Sequence, residues 1–213
     1  MKDCKSHWER IYQGKSPPEM TWHQQEPALS LELVRNAQVA KNERIIDIGG
    51  GASTLVDQLI NAKYSRVSVL DISENALACS RERLGDLQQK AEWYTTDITE
   101  FKPPHQFSLW HDRAVFHFLT RKSDRVQYVT ALKAALKPGG TLIIATFAIG
   151  GPERCSGFDI VQYDKKKLAA VLGEEFELKE SREESHITPA GHAQKFTYFR
   201  FIRNPDLENA CKN

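Results

Sequence analysis

Between Arg44 and Ser53 the chain reads Arg-Ile-Ile-Asp-Ile-Gly-Gly-Gly-Ala-Ser, a β-rich run with an acid near its end that opens into three glycines. Glycine adopts positive φ without steric penalty and lets a ligand lie against bare main chain, so Gly49, Gly50 and Gly51 read as a strand-to-helix turn with a small molecule over it. A tight turn without a ligand would use the same residues. Asp71 ends the next apolar run, where a carboxylate can accept both hydroxyls of a ribose diol beside that turn. The same position suits an acid that caps a helix starting at Ser73.

The composition of the turn bears on which ligand it would hold. Dinucleotide-binding turns follow G-x-G-x-x-G/A, which brings a helix amino end to a pyrophosphate; here the third position is Thr54, and Asp47 precedes the first glycine. A carboxylate there disfavours a diphosphate. It stabilises the ammonium and sulfonium of S-adenosylmethionine (SAM), which carries the same adenosine diol as NAD.

Helices and strands must alternate to place these groups. Helical spacing runs over Ala28–Val39, Thr54–Asn61, Ser73–Leu84, Val126–Leu136 and Asp164–Leu172. Strand-like runs fall at Arg44–Ile48, Arg66–Leu70, Ala91–Tyr94, Phe107–Trp110, Thr141–Phe147, Phe176–Arg182 and Lys195–Ile202. The pattern implies an α/β fold with a doubly wound, mostly parallel sheet of seven strands. The last two runs have no helix between them, so they either pair as an antiparallel carboxy-terminal hairpin or do not neighbour each other at all.

These features resemble the class I SAM-dependent methyltransferases from Arg44 to Arg203. Asp47 with Gly49 and Gly51 is similar to the family's first motif, although Ser53 stands where a third glycine is common. Asp71 matches the ribose-binding acid, and Asp97, after Trp93-Tyr94-Thr95-Thr96, matches the residue that meets the adenine amino group. Leu136-Lys137-Pro138-Gly139-Gly140-Thr141-Leu142 is similar to the turn into the family's fifth strand. The resemblance implies a Rossmann-like methyltransferase fold, its seventh strand antiparallel between the fifth and sixth. It implies SAM as cofactor, with S-adenosylhomocysteine (SAH) as product, and Asp47, Gly49, Gly50, Gly51, Asp71, Ile72, Asp97 and Ile98 as donor-binding residues.

His7-Trp8-Glu9-Arg10-Ile11-Tyr12, followed by Thr21-Trp22, resembles the lead segment of small methyltransferases, some of which modify protein lysines. There the aromatic residues cover the donor, which adds Trp8, Tyr12 and Trp22 to the expected donor site; aromatic faces beside a sulfonium supply cation–π stabilisation and exclude water. Packing against the helix that begins near Ala28 is the other use for those rings. His111 and Asp112, after the fourth strand, are the catalytic candidates. An imidazole in general suits a base near neutral pH, so His111 reads as one, or else as a backbone hydrogen-bonding group at a strand end. Asp112-Arg113 resembles the acid-plus-basic pair of relatives that methylate lysine.

No metal site is expected. His186 and His192 stand six apart in what reads as the hairpin loop, and Glu183 and Glu184 read as a solvated face. That loop, with Arg154 and Phe158, is expected to reach over the acceptor pocket. Lys165, Lys166 and Lys167 read as a solvated helix turn. A net charge of +1 gives no field to gather nucleic acid or an anionic membrane. Cys4, Cys79, Cys155 and Cys211 lack a metal-binding spacing, and no signal or spanning segment is written in the chain, so a cytoplasmic setting is expected. Residues 1–40 read as an amino-terminal cap and helix, 41–203 as the methyltransferase domain and 204–213 as a polar tail. The expected activity is methyl transfer to a small molecule or a protein side chain. A noncatalytic SAM-binding module and a nicotinamide-dependent oxidoreductase are the alternatives.

Overall fold

The period-two alternation of the strands fixes the two layers around the sheet. In the computed structural model, which describes residues 2–205, β1 (Arg44–Ile48) sends Ile46 and Ile48 to one face and Ile45 to the other. The first face is covered by α5 (Lys122–Ala135) and α6 (Lys165–Leu172), through Tyr128, Leu132, Leu168 and Leu172. The second is covered by α2 (Ala28–Asn36), α3 (Leu55–Asn61) and α4 (Glu74–Leu84), through Leu33, Leu59 and Leu77. Each fully buried aliphatic side chain in these layers contributes about 1.5–3 kcal/mol.

The remaining strands are β2 (Arg66–Asp71), β3 (Ala91–Thr95), β4 (Phe107–Arg113), β5 (Leu136–Phe147), β8 (Phe176–Ile187) and β9 (Ala193–Arg203), in the order β3-β2-β1-β4-β5-β9-β8. The first five run parallel; β9 lies antiparallel between β5 and β8. This is the expected seven-stranded sheet with its antiparallel finish. A separate two-stranded ribbon, β6 (Arg154–Cys155) with β7 (Phe158–Asp159), fills the connection after β5, and α1 (Lys2–Gly14) packs on α4. Strand order reverses between β1 and β4, which opens a crevice at their carboxyl ends.

Several boundaries differ from the sequence expectation, each for a physical reason. β4 continues through His111, Asp112 and Arg113, because His111, Asp112 and Arg113 pair in register with Ile143, Ile144 and Ala145 of β5. Polar residues there read as a loop, yet they lie inside the sheet. β8 runs to Ile187 because its charges sit on an edge strand and meet partners across it, such as Arg200 with Glu180. His186 is therefore a strand residue, and the turn is Thr188–His192. β5 starts at Leu136, with Pro138-Gly139-Gly140 looped out of register between the Phe107–Leu136 and Leu109–Thr141 pairs. The tail from residue 206 onward, with Cys211, lies outside the described residues. Among those described, no helix is long and apolar enough to cross a membrane.

Candidate active site

The glycine turn opens directly from β1. Gly49 takes φ +67, and a side chain on it would collide with Val115 from the segment after β4. A Cβ on Gly51 would stand 2.5 Å from Asp71 Oδ2 and from the Ala76 side chain, so only bare backbone fits. The Gly51 amide donates to Asp71 Oδ2 at 3.0 Å and the Ser73 amide to Asp71 Oδ1 at 2.9 Å. Burial raises the Asp71 carboxyl to about 6; those two amides oppose the shift, and the nearby charges of Asp47 and Glu9 add to it. Capping of α4 falls to Ser73, whose hydroxyl accepts from the Ala76 amide, and to Glu9, reaching over from α1.

Strand alternation decides the fate of the catalytic candidates. Asp47 and His111 are register partners on adjacent strands and face the α2 layer. His111 Nδ1 lies 2.7 Å from Asp47 Oδ1, and its Nε2 lies 2.9 Å from the Ser30 hydroxyl on α2. All three residues are at most 2% exposed. Asp112 faces the opposite layer, where Oδ1 accepts from the Val115 amide at 2.9 Å and Oδ2 from the Tyr128 hydroxyl at 2.7 Å. Its carboxyl is raised to about 6 by burial, against the Val115 amide and the Tyr128 hydroxyl. Neither His111 nor Asp112 lines the large cavity described next, because the pleat aims one into each protein layer. His111 instead bounds a smaller pocket beside the glycine turn, and Asp112 is held in the opposite layer by Val115 and Tyr128.

A cavity of about 420 Å³ occupies the crevice. At one end its wall carries Asp71, Ile72, Asp97 and Ile98; at the other it carries Phe118, Phe147, Phe158 and Phe196, with Arg113, Cys155 and Gln194. Asp97 is oriented by Thr99, whose amide and hydroxyl donate to its Oδ1 at 2.9 and 2.7 Å. Trp8, Tyr12 and Trp22 form part of the same wall, and Trp8 meets Trp22, Phe118 and Phe158 as neighbouring rings. A second pocket, about 50 Å³, lies beside the glycine turn and is bounded by Asp47, Gly49, Gly50, Ser30, His111 and Arg113. Asp47 Oδ2 is buried there without a hydrogen-bond partner.

Other expectations shift with the fold. Phe158 reaches the cavity, whereas Arg154 points outward and pairs with the exposed Asp159. His186 is held by the Thr21 carbonyl at 2.7 Å and does not extend over the pocket. Glu184 is not on a solvated face: it accepts from Tyr198 at 3.0 Å and from Gln24 at 3.1 Å, and lies 3.7 Å from Arg113. Lys165, Lys166 and Lys167 are exposed. Among the described residues no group of three or more His, Cys, Asp or Glu side chains could hold a metal. Glu9 and Ser30 escaped the sequence reading. Ser30 carried a signal, being a polar residue on the face of α2 that also presents Leu33 and Val34.

A methyltransferase domain model matches residues 46–142, from β1 into β5. A ubiquinone biosynthesis O-methyltransferase of Aromatoleum aromaticum is 28% identical over 180 residues, 84% of this chain and 65% of that protein. EEF1A lysine methyltransferase 2 of Danio rerio is 26% identical over 118 residues, 51% of this chain and 49% of that one. The chain thus spans less than two thirds of the length of either curated relative. Among solved structures, Burkholderia thailandensis 1,6-didemethyltoxoflavin-N1-methyltransferase, with 1,6-didemethyltoxoflavin and SAH bound, aligns at a TM-score of 0.73 and 17% identity, covering 94% of this chain and 87% of that one. That likeness speaks to the fold. The domain match, the glycine turn, the acids at successive strand ends and the antiparallel finish of the sheet make the chain similar to the class I SAM-dependent methyltransferases, enzymes whose methyl donor is SAM.

Proposed function

We propose that this chain transfers the SAM methyl group to a small-molecule acceptor seated among the aromatic rings of the cavity. The observation that carries the reading is one cavity lined by Asp71 and Asp97 on the β2–β3 side of the sheet and by Phe147 and Phe196 on the β5–β9 side. Its volume is that of a typical small-ligand site. The chain's residues also fit the donor's chemistry. The unpaired Asp47 Oδ2 beside the glycine turn suits an ammonium, and the bare Gly49–Gly51 backbone admits a ligand where side chains would collide.

In this reading Asp47, Gly49, Gly50 and Gly51 hold the methionine end. Asp71 accepts the ribose hydroxyls with the lone pairs left over from Gly51 and Ser73. Asp97 takes the adenine amino group, with Ile72 and Ile98 against the base. Trp8, Tyr12 and Trp22 cover the site, exclude water and stabilise a positive charge. Bound SAM supplies a methyl carbon made electrophilic by its sulfonium. The chain contributes alignment of the acceptor with that carbon, a source of large rate effects that needs no dedicated base. Residues 1–40 serve as the cap of the same domain, and 41–203 hold both ligands.

The test is SAH release from purified protein and SAM, measured by mass spectrometry with a panel of small aromatic acceptors and, separately, with a protein extract freed of small molecules. Turnover on the small-molecule panel is expected. Turnover confined to the protein extract would contradict the reading.

A further inference from the structure

Among the side chains at the ring-lined end of the cavity, Arg113 is the cation, and it is fixed in place. Its Nε donates to the Tyr198 hydroxyl at 2.8 Å, its Nη1 to the Trp22 carbonyl at 3.0 Å, and its guanidinium lies 4.6 Å from the centre of the Phe196 ring. Arginine carries five N–H donors, and Nη2 is buried with no hydrogen-bond acceptor. The nearest carboxylate, Glu184, stands 3.7 Å away, engaged by Tyr198 and Gln24, and does not line the cavity. An anchored guanidinium with spare donors, at the junction of the large cavity and the pocket beside the glycine turn, is built to meet negative charge.

We propose that the acceptor is a phenol that reacts as its phenolate, its ring stacked among the cavity's aromatic side chains and its negative oxygen held by Arg113. This rests on the reading of the chain as a SAM-dependent methyltransferase of small molecules. The phenol proton leaves to solvent before transfer. The phenolate oxygen's lone pair then forms the new O–C bond, the C–S bond breaks with its electron pair going to sulfur, and a methyl ether and SAH result. A cation beside the acceptor stabilises the phenolate, so that no base has to act during the transfer itself. It also disfavours a lysine ammonium, which would meet like charge.

The groups around Arg113 register its field. Burial and Arg113 together push His117 down to about 3. Arg113 opposes the rise that burial imposes on Cys155 and on Tyr198, whereas Glu184 raises Tyr198 further. His186 is lowered by burial and by Arg113, against the Thr21 carbonyl and Glu184. At Tyr198 burial still prevails and the phenol is raised to about 12, so for an entering phenol Arg113 favours the phenolate while burial opposes it.

The experiment uses 4-nitrophenol as probe, because its phenolate absorbs visible light and no turnover is needed. The probe is titrated with pH in the presence of saturating SAH and excess protein, for wild type, Arg113→Lys and Arg113→Met, with SAH affinity measured calorimetrically for each. We expect bound probe to ionise at least about one pH unit below free probe, a tenfold change in its ionisation constant. Arg113→Lys should keep most of that shift and Arg113→Met should abolish it, with SAH still bound by both. Wild-type protein that binds SAH but leaves 4-nitrophenol unbound at millimolar concentration, or ionising no more readily than in water, overturns the proposal while sparing the methyltransferase reading. The wild-type measurement decides this even if a variant fails to fold. Failure of the wild type to bind SAH removes both.

Discussion

At the residue scale, Asp71 joins two demands that pull against each other: burial favours its neutral form, while the amides of Gly51 and Ser73 favour the ionised one. Burial prevails, so in the free protein the group gains its proton as pH falls through about 6. A carboxyl raised above its unfolded value makes folding take up a proton, so its contribution to stability falls as pH rises through that range. In the proposed complex ribose hydroxyls donate to the ionised form, so donor binding must displace the proton on acidification. SAH affinity, followed by calorimetry, is expected to be level above about pH 7 and to weaken by up to about tenfold per pH unit below 6. An affinity constant from about pH 5 to about pH 8 would contradict the role given to Asp71. The placement of Asp47, Gly49–Gly51 and Asp71 at strand ends and in the turn is legible because positive φ and charge at a strand end are local demands. Ser30 and Glu9 are not, because the groups they serve lie 81 and 64 residues away in sequence.

At the scale of elements, α1 is clipped to α4 by a single acid. Glu9 accepts from the Ser73 hydroxyl at 2.9 Å and from the Glu74 and Asn75 amides at 3.0 and 3.1 Å, so three donors at the start of α4 depend on it. Burial pushes its carboxyl up, but the Asn75 and Glu74 amides and Ser73 outweigh that and hold it below the usual glutamate range. Because Trp8 and Tyr12 ride on the same helix, Glu9→Ala should destabilise the protein by about 1–2 kcal/mol, weaken SAH binding, and speed amide exchange in α1. Exchange in α1 at the wild-type rate would contradict this. Helix and strand types followed from apolar periodicity, whereas the ends of β4 and β8 did not. His111, Asp112 and Arg113 look like loop residues until β5 supplies their register and α2 and α5 supply their partners. The charges of β8 look solvated until β9 pairs with them.

At the scale of the molecule, the parallel half of the sheet carries the end of the cavity proposed for the donor. The antiparallel pair β9–β8, the ribbon β6–β7 and α1 furnish the end proposed for the acceptor, with Phe196, Phe158 and Trp8. The donor end has the same needs wherever a SAM site is built, so its residues announce themselves in sequence. The acceptor end is assembled from distant segments by packing, which a linear pattern does not encode. The central claim is that acids at adjoining strand ends and the glycine turn hold an adenosyl sulfonium donor and not a dinucleotide. Isothermal titration of SAH and of NADH into wild type and into Asp71→Ala tests it most directly. One SAH site per chain is expected in the wild type, with at least a tenfold loss in Asp71→Ala and no heat from NADH. SAH affinity untouched by Asp71→Ala, or NADH binding in place of SAH, would contradict it.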